Sequence, residues 1–247
     1  MQFGQIWDDR APDAAPLRIE ETIAEIARHD ADIVHLQEVE QALPQGVQVS
    51  PPKNYERLRA ALPQYFGHFS YPPVDPRELP FGIGLAILSK APLREPLVEV
   101  LPSPAVEFEF FGQKKTPTDR LLIGATTEVG GRELRLLNTH LLAFFMLHSD
   151  SRQHPGQRRR IAEHLRAAGG RATVLSGDFN TRDHVGLVAQ YAEEGFKTVQ
   201  TREITWRRQP YVLDHIFHNT PLRCVGAAVV PTQASDHHAL VADFVWA

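Results

Sequence analysis

The apolar positions change period repeatedly along this chain. Leu17, Ile19, Ile23, Ile26 and Ala27 recur at helical spacing with Glu20, Glu21 and Glu25 between them, and predict an amphipathic helix ending near His29. Asp32-Ile33-Val34-His35-Leu36 follows as a strand that leads into Gln37-Glu38-Val39-Glu40. A helix and a strand within about 20 residues is the rhythm of an α/β sandwich. Ahead of the helix, Phe3 to Trp7 reads as a first strand and Asp8 to Pro16 as a loop carrying two prolines.

After the loop Gln41 to Lys53, the pattern predicts a short helix over Tyr55 to Leu62 and a strand over Gln64 to Tyr71. Pro72 to Pro80 is a proline-dense loop, suited to the rim of a cleft. Phe81 to Ser89 reads as a buried strand whose glycines permit close approach, while Val98 to Val100 and Val106 to Phe110 alternate as half-exposed strands. Arg120 to Val129 and Glu133 to Asn138 are strands joined by the turn Gly130-Gly131. Gln157 to Ala168 predicts a helix closed by Gly169-Gly170. Ala172 to Leu175 is a short buried strand, and a helix follows near Val185 to Glu194. Tyr211 to Phe217, Leu222 to Val230 and Ala239 to Trp246 complete the strands. No repeat, low-complexity segment or linker interrupts the series, so residues 1–247 read as one domain.

Composition narrows the picture. With 247 residues and 43% hydrophobic content, the chain can bury a substantial core. A formal charge of −4 provides no global cationic field for nucleic acid, although a local basic face is compatible with it. The single cysteine, Cys224, excludes an intrachain disulfide framework and a cysteine-rich zinc site. Nothing at the start resembles a secretory leader, and no apolar run approaches the roughly 20 residues that span a bilayer. A cytoplasmic location is the expectation.

Chemistry-bearing side chains stand at the ends of the apolar runs. Glu38 follows Ile33-Val34, His140 follows Leu136-Leu137, Asp178 and Asn180 follow Val174-Leu175, and Asp236-His237 precedes the last strand. Asp214 joins them from within an apolar strand. Ser176-Gly177-Asp178-Phe179-Asn180-Thr181 is the centre of the set: a carboxylate and a carboxamide beside a glycine can hold a water or a phosphate oxygen. Singly, each has an ordinary reading too. Asp and Asn are turn residues, Glu38 suits a solvated loop, His140 a satisfied core site, and Asp214 a partner for arginine.

Together these residues carry a resemblance. Leu36-Gln37-Glu38-Val39, Asn138-Thr139-His140-Leu141, Gly177-Asp178-Phe179-Asn180, Leu213-Asp214-His215-Ile216-Phe217 and Ser235-Asp236-His237 occur in the order seen in the endonuclease/exonuclease/phosphatase superfamily. Gly84-Leu85-Ala86-Ile87-Leu88-Ser89 is similar to its glycine-to-serine strand. The resemblance implies a four-layered α/β sandwich of two packed mixed β-sheets flanked by helices, with the site at the strand ends. It implies hydrolysis of phosphoesters assisted by Mg²⁺, or Mn²⁺, near Glu38 and Asp236, since these ions prefer oxygen ligands. Asp178 would orient or deprotonate the attacking water, with Asn180 positioning it or a phosphate oxygen. Asp214 would hold His237 toward the phosphate, and His140 would contact phosphate or act near the leaving group. Arg120 stands where the family often has a phosphate-contacting arginine; a surface salt bridge is its other reading.

One position departs from the pattern. The family's first strand carries an asparagine in a setting like Asn-Ile-Trp, and here the sequence is Gln5-Ile6-Trp7. Gln5 keeps the amide but adds a methylene, which leaves its role near a metal open.

For substrate, Phe144 and Phe145 after His140 suit either core, base stacking or an acyl chain. Arg152, His154, Arg158, Arg159 and Arg160 suit a solvated face with one or two phosphate contacts. Gln157 among them resembles a structural glutamine of the family. The reading is a phosphodiesterase acting on nucleic acid or nucleotide, with phospholipid or inositol phosphate as the alternative. A binding module on the same scaffold is the competing class. No protein partner is evident.

Overall fold

The computed structural model describes residues 1–110, 112–200 and 202–247. The amphipathic segment forms α1 (Ile19–His29), burying Ile19, Thr22 and Ile26 on one side. Arg28 and His29 lie in its last turn, where cations suit the partial negative charge of the helix end. Asp30, in the left-handed region, closes it by donating its N–H to the Ile26 carbonyl. The chain then runs through β1 (Ile33–Gln41), α2 (Lys53–Ala61), β2 (Phe66–Ser70), β3 (Gly82–Ser89) and β4 (Arg94–Leu101). It continues through β5 (Phe108–Phe110), β6 (Gln113–Lys115), β7 (Arg120–Val129), β8 (Arg132–His140), α3 (Gly156–Ala168) and β9 (Thr173–Asp178). The last elements are α4 (His184–Ala192), β10 (Phe196–Thr198), β11 (Asp214–Asn219), β12 (Leu222–Val230) and β13 (Ala239–Trp246).

The expected first strand over Phe3 to Trp7 does not form. Gln2, Phe3 and Gly4 all take positive φ and wind a single 3-10 turn, and Gln5 makes only an isolated bridge to Leu17. The segment turns back on α1 instead, with Arg18 N–H donating to the Gly4 carbonyl at 2.6 Å.

A sandwich does form, and three apolar clusters separate its layers. Alternation along β3 divides two of them: Ala86 and Leu88 face Ile19, Ile26 and Leu58 of the helices, whereas Leu85 and Ile87 face Ile123, Leu136 and Val174 of a second sheet. On the far side of that sheet, Leu122, Leu137 and Leu175 meet Ile161, Leu165, Leu187 and Tyr191 from α3 and α4. Each such fully buried leucine contributes roughly 1.5–3 kcal/mol.

The larger sheet has six strands in the order β10-β11-β9-β8-β7-β4. It is mixed, because β8 and β9 are parallel and joined across α3 while its other pairs are antiparallel. The opposing layer is divided into a three-stranded antiparallel sheet, β1-β3-β2, and a separate β12-β13 ribbon. No helix among the described residues is long and apolar enough to cross a membrane.

Candidate active site

Register places the central side chains. In the parallel pair β8–β9, His140 stands opposite Asp178; in the antiparallel pair β9–β11, Asp178 stands opposite Asp214. These residues therefore form one row across adjacent strands, which lie about 4.8 Å apart. Gly177 permits this closeness, since a Cβ there would sit 2.1 Å from the Thr139 carbonyl oxygen. Asp214 begins its strand rather than lying within it, because Thr205 Oγ1 accepts the N–H groups of Leu213 (3.0 Å) and Asp214 (3.1 Å) in place of a ladder.

Glu38 reaches the row from the opposite layer. Asn138 ties the layers together: its amide donates to the carbonyls of Leu36 (3.0 Å) and Ala86 (2.9 Å), and its Oδ1 accepts from Gln37 Nε2 (2.7 Å). Immediately beyond, Glu38 takes φ +53 within a break of register between Gln37 and Glu40. Such a bulge re-aims one side chain out of the pleat. Gly82 makes room for it, since a Cβ there would lie 2.3 Å from Glu38 Cβ.

Distances show one connected cluster. His140 Nε2 lies 4.0 Å from Glu38 Oε1 and 3.6 Å from Asp178 Oδ2. The same Asp178 oxygen is 3.7 Å from His237 Nε2, and His237 Nδ1 is hydrogen-bonded to Asp214 Oδ2 at 2.7 Å. Burial works against the charged form of His237, but the charge and hydrogen bond of Asp214, with Asp178 and Asp236 behind it, raise its pKa to about 10. Burial likewise pushes Asp214 up, yet the His237 charge and hydrogen bond, with a hydrogen bond from Thr205, bring it below its ordinary value. The result is a charged imidazolium–carboxylate pair. Asp178 goes the other way: burial and then the charge of Asp214 hold it well above the ordinary carboxylate range. His140 is held well below its ordinary value by burial, Arg120 and His237, and is neutral.

Asn180 also has positive φ (+46), donates its backbone N–H to Asp178 Oδ1 at 2.8 Å and its amide to the Leu141 carbonyl at 3.0 Å. That leaves its Oδ1 as the atom able to accept from a water. Arg120 begins β7 and donates from Nη1 to Thr118 Oγ1 (3.1 Å), with Glu78 Oε2 at 3.6 Å; its buried Nε has no partner. It shares a small pocket with His140. Asp236 is fastened by Trp206 Nε1 (3.2 Å) and Arg208 Nε (3.1 Å) on one oxygen. Gln5 donates its amide nitrogen to the Ala15 carbonyl at 2.9 Å, while its Oε1 lies 3.1 Å from the Gln2 side-chain amide. The carboxamide near Asp236 belongs to Gln2, whose nitrogen can donate to Asp236 Oδ1 at 3.1 Å.

The donor set fits a hard divalent cation. Burial and the neighbouring Asp236 carboxylate raise Glu38 to about 7, the mark of negative charge without adequate compensation. Asp178, Asp214 and His237 also offer ligand atoms within 4.8 Å of one another. Their shortest pair is already joined by the 2.7 Å hydrogen bond, so Glu38 is the carboxylate with more to gain from an ion.

Around His237 stands an aromatic wall that local motifs do not reveal. Half-exposed Trp206, Tyr211 and Phe145 pack together, with ring centroids 5.6 Å apart for Phe145–Trp206 and 5.4 Å for Phe145–Tyr211. Trp206 lies 6.3 Å from the His237 ring. Phe144, by contrast, is core at 2% exposure. Gln157 is structural, accepting the Leu142 N–H and donating to the Leu101 carbonyl. In the basic segment, Arg158 is buried against Gln190, Ser151 and Asp183, and Arg152 faces Asp150 and Asp183.

No curated protein matches the chain. Among solved structures, it is similar to a family protein from Bacteroides thetaiotaomicron (15% identity, TM-score 0.72, covering 99% of this chain and 95% of that one). It is also similar to the human nocturnin catalytic domain with bound sulfate (19% identity, TM-score 0.61, covering 93% and 86%). A mannosyl-6-phosphatase from Bacteroides thetaiotaomicron shares the fold as well (14% identity, TM-score 0.60, covering 93% and 91%). Residues 2–237 match the model of the Endonuclease/Exonuclease/phosphatase family, and the chain therefore belongs to that family, whose members are phosphoester hydrolases.

Proposed function

We propose that this chain is a divalent-metal-dependent phosphodiesterase that cleaves nucleic acid or nucleotide by attack of water on phosphorus. The observation that carries the reading is Asp178 Oδ2 held between His140 Nε2 at 3.6 Å and His237 Nε2 at 3.7 Å, with Asp214 behind His237. A proton acceptor, a neutral imidazole and a charged imidazolium thus converge on one point.

Asp178, raised in proton affinity, takes the proton of the attacking water, and Asn180 Oδ1 fixes that water's orientation. His237, charged and held by Asp214, donates Nε2–H to a non-bridging phosphoryl oxygen and offsets the charge that develops there. Neutral His140 contacts the same group or the leaving oxygen, and Arg120, which lines the same small pocket, adds a fixed positive charge. Glu38 and Asp236 would hold Mg²⁺ or Mn²⁺, which supplies Lewis-acid polarisation of a phosphoryl oxygen when bound. The Phe145–Trp206–Tyr211 wall supports a planar base as the neighbouring group, because stacking on an aromatic face contributes about 1–3 kcal/mol per base.

A substrate panel tests this reading: plasmid, abasic oligonucleotide, sphingomyelin and inositol phosphates, each with Mg²⁺ or Mn²⁺ and with chelator. Turnover of a nucleic acid or nucleotide, abolished by chelation and raised in KM by Trp206→Ala, is expected. Turnover confined to the lipid or inositol phosphates would move the substrate class, and no turnover of any phosphoester with no metal binding would defeat the enzyme reading.

A further inference from the structure

The side-chain cations placed at the cluster are not spare charges. His237 is bound to Asp214 at 2.7 Å, Arg208 donates from Nε to Asp236 at 3.1 Å, and Arg120 Nη1 stands 3.6 Å from Glu78 Oε2. Asp214 and Asp236 already have tasks, one orienting the imidazole and the other facing the proposed ion. Glu78 has none. It lies outside the small pocket that Arg120 and His140 line, yet its side chain is only 10% exposed. A carboxylate withdrawn from water beside an arginine changes what that arginine can bind.

The loop that carries Glu78 is fixed along its length. It runs from Pro72 to Pro80, and its four prolines limit the freedom of the backbone. Gln48 donates to the Pro72 carbonyl at 2.8 Å at one end, and Gln41 to the Pro80 carbonyl at 3.1 Å at the other. Between them Asp75 pairs with the Arg77 guanidinium, and its carbonyl accepts the Glu78 N–H at 2.9 Å. Gly46, at φ +68, lets the neighbouring turn close on this loop, since a Cβ there would sit 1.9 Å from the Asp75 carbonyl oxygen.

The Glu78 side chain is fastened by Thr118, which is buried just ahead of β7. A hydroxyl has one proton to give. Thr118 Oγ1 donates it to Glu78 Oε2 at 2.7 Å and accepts from Arg120 Nη1 at 3.1 Å, so one hydroxyl holds both partners. Nη1 also reaches the Asp119 carbonyl at 3.4 Å. The buried Nε of Arg120, which has no partner, is the donor left for a phosphoryl oxygen.

Charge then selects the substrate. The Arg120–Glu78 pair carries no net charge, and His140 in the same pocket is neutral. Burial leaves little water to screen the carboxylate. A phosphomonoester carries close to two negative charges above neutral pH, and a diester carries one. The second charge of a monoester would be repelled by Glu78 and Glu38, whereas a diester puts a neutral ester oxygen in its place. Given the phosphoesterase reading above, in which Arg120 meets the phosphoryl group, we propose that Glu78 is a specificity-determining residue acting through Arg120. It offsets the guanidinium, so that the site accepts a singly charged phosphodiester and turns away a doubly charged monoester. Glu78 touches no reacting atom, and Thr118 positions it.

Phenyl phosphate and methyl phenyl phosphate at pH 8 share one ring and differ by one charge. The affinity of each for the metal-free protein is read from the shift of the His140 ring in an NMR titration. Turnover of the matching p-nitrophenyl esters is read as kcat/KM with Mg²⁺. The native chain is expected to bind the diester more tightly. Glu78→Gln keeps an acceptor for Thr118 and removes the charge. It should raise monoester affinity relative to diester affinity at least about fivefold, the upper end for an exposed ion pair. Thr118→Ser, which retains the hydroxyl, should keep the native ratio, and Arg120→Gln should weaken both esters. Two results overturn the role of Glu78 and leave the phosphoesterase reading standing. One is a native preference for the monoester; the other is a ratio that Glu78→Gln leaves unmoved while Arg120→Gln weakens both esters. Arg120→Gln binding both as the native chain does would remove the arginine from the site, and the role of Glu78 with it. A native chain that neither binds nor turns over either ester defeats the phosphoesterase reading itself. The native preference needs no variant, so it decides the matter even if Glu78→Gln fails to fold.

Discussion

Replacing Asp214 by Asn keeps the shape of the 2.7 Å contact to His237 Nδ1 but removes its charge. In the native site His237 has a pKa of about 10 against an ordinary 6.5, a preference for the charged ring worth roughly 5 kcal/mol. Asp214 is the largest favourable contributor, opposing a burial that favours the neutral ring. Without it, His237 falls to or below its ordinary value. At pH 8 the charged fraction then drops from roughly 0.99 to about 0.03, a ~30-fold loss before any change of tautomer. Turnover of a chromogenic phosphodiester from pH 5 to 11 is expected to lose its upper limb near pH 10 and gain one near or below 6.5. An NMR titration of the His237 ring should follow the same course. The sign extends to stability: the raised His237 value adds stability that is complete below pH ~6.5 and is lost as pH rises through about 10. A D214N protein whose His237 still titrates above pH 9, or which keeps full activity at pH 8, refutes the reasoning.

Other consequences are as direct. Glu38→Gln should weaken Mg²⁺ or Mn²⁺ binding by at least about tenfold, the loss found even for groups one step further from a metal, measured by calorimetry. Because the folded Glu38 value of about 7 exceeds its ordinary 4.5, the metal-free protein should lose stability as pH rises from 4.5 to 7. Added metal should therefore raise Tm more at pH 8 than at pH 5. Asn138→Ala strands two buried carbonyls and should cost roughly 2–6 kcal/mol in urea denaturation, at about 1–3 kcal/mol each. Gly82→Ala should leave the fold intact by circular dichroism but lower kcat, since its Cβ displaces the Glu38 side chain.

Period alone located α1, α3 and most of the strands, because each buries one face and the chemistry of burial repeats at the period of the element. The site residues were legible as polar groups ending apolar runs, and Glu38, His140, Asp178, Asn180, Asp214 and His237 do converge. What stayed hidden depends on contacts across the fold. Glu38 is aimed by a bulge, which exists only in the register of β1 against β3. Asn138 acts on carbonyls 102 and 52 residues away, and Thr205 and Trp206 lie in no local motif. Phe3 to Trp7 was too short to reveal its period, and three positive φ angles in succession turned it away from strand. The sequence shows Gln5 as a lengthened family amide but not that its nitrogen is tied to the loop at Ala15, which leaves only its Oε1 to face Gln2.

In the proposed reaction Asp178 is the proton acceptor and turnover depends on a divalent metal. The direct measurement is the initial rate of phosphodiester hydrolysis against Mg²⁺ concentration for the native chain and for Asp178→Ala. The native rate should saturate with Mg²⁺ and vanish with chelator, and the variant should lose about 10²–10⁴-fold in kcat. A variant that turns over at the native rate, or a native rate indifferent to chelation, would contradict it.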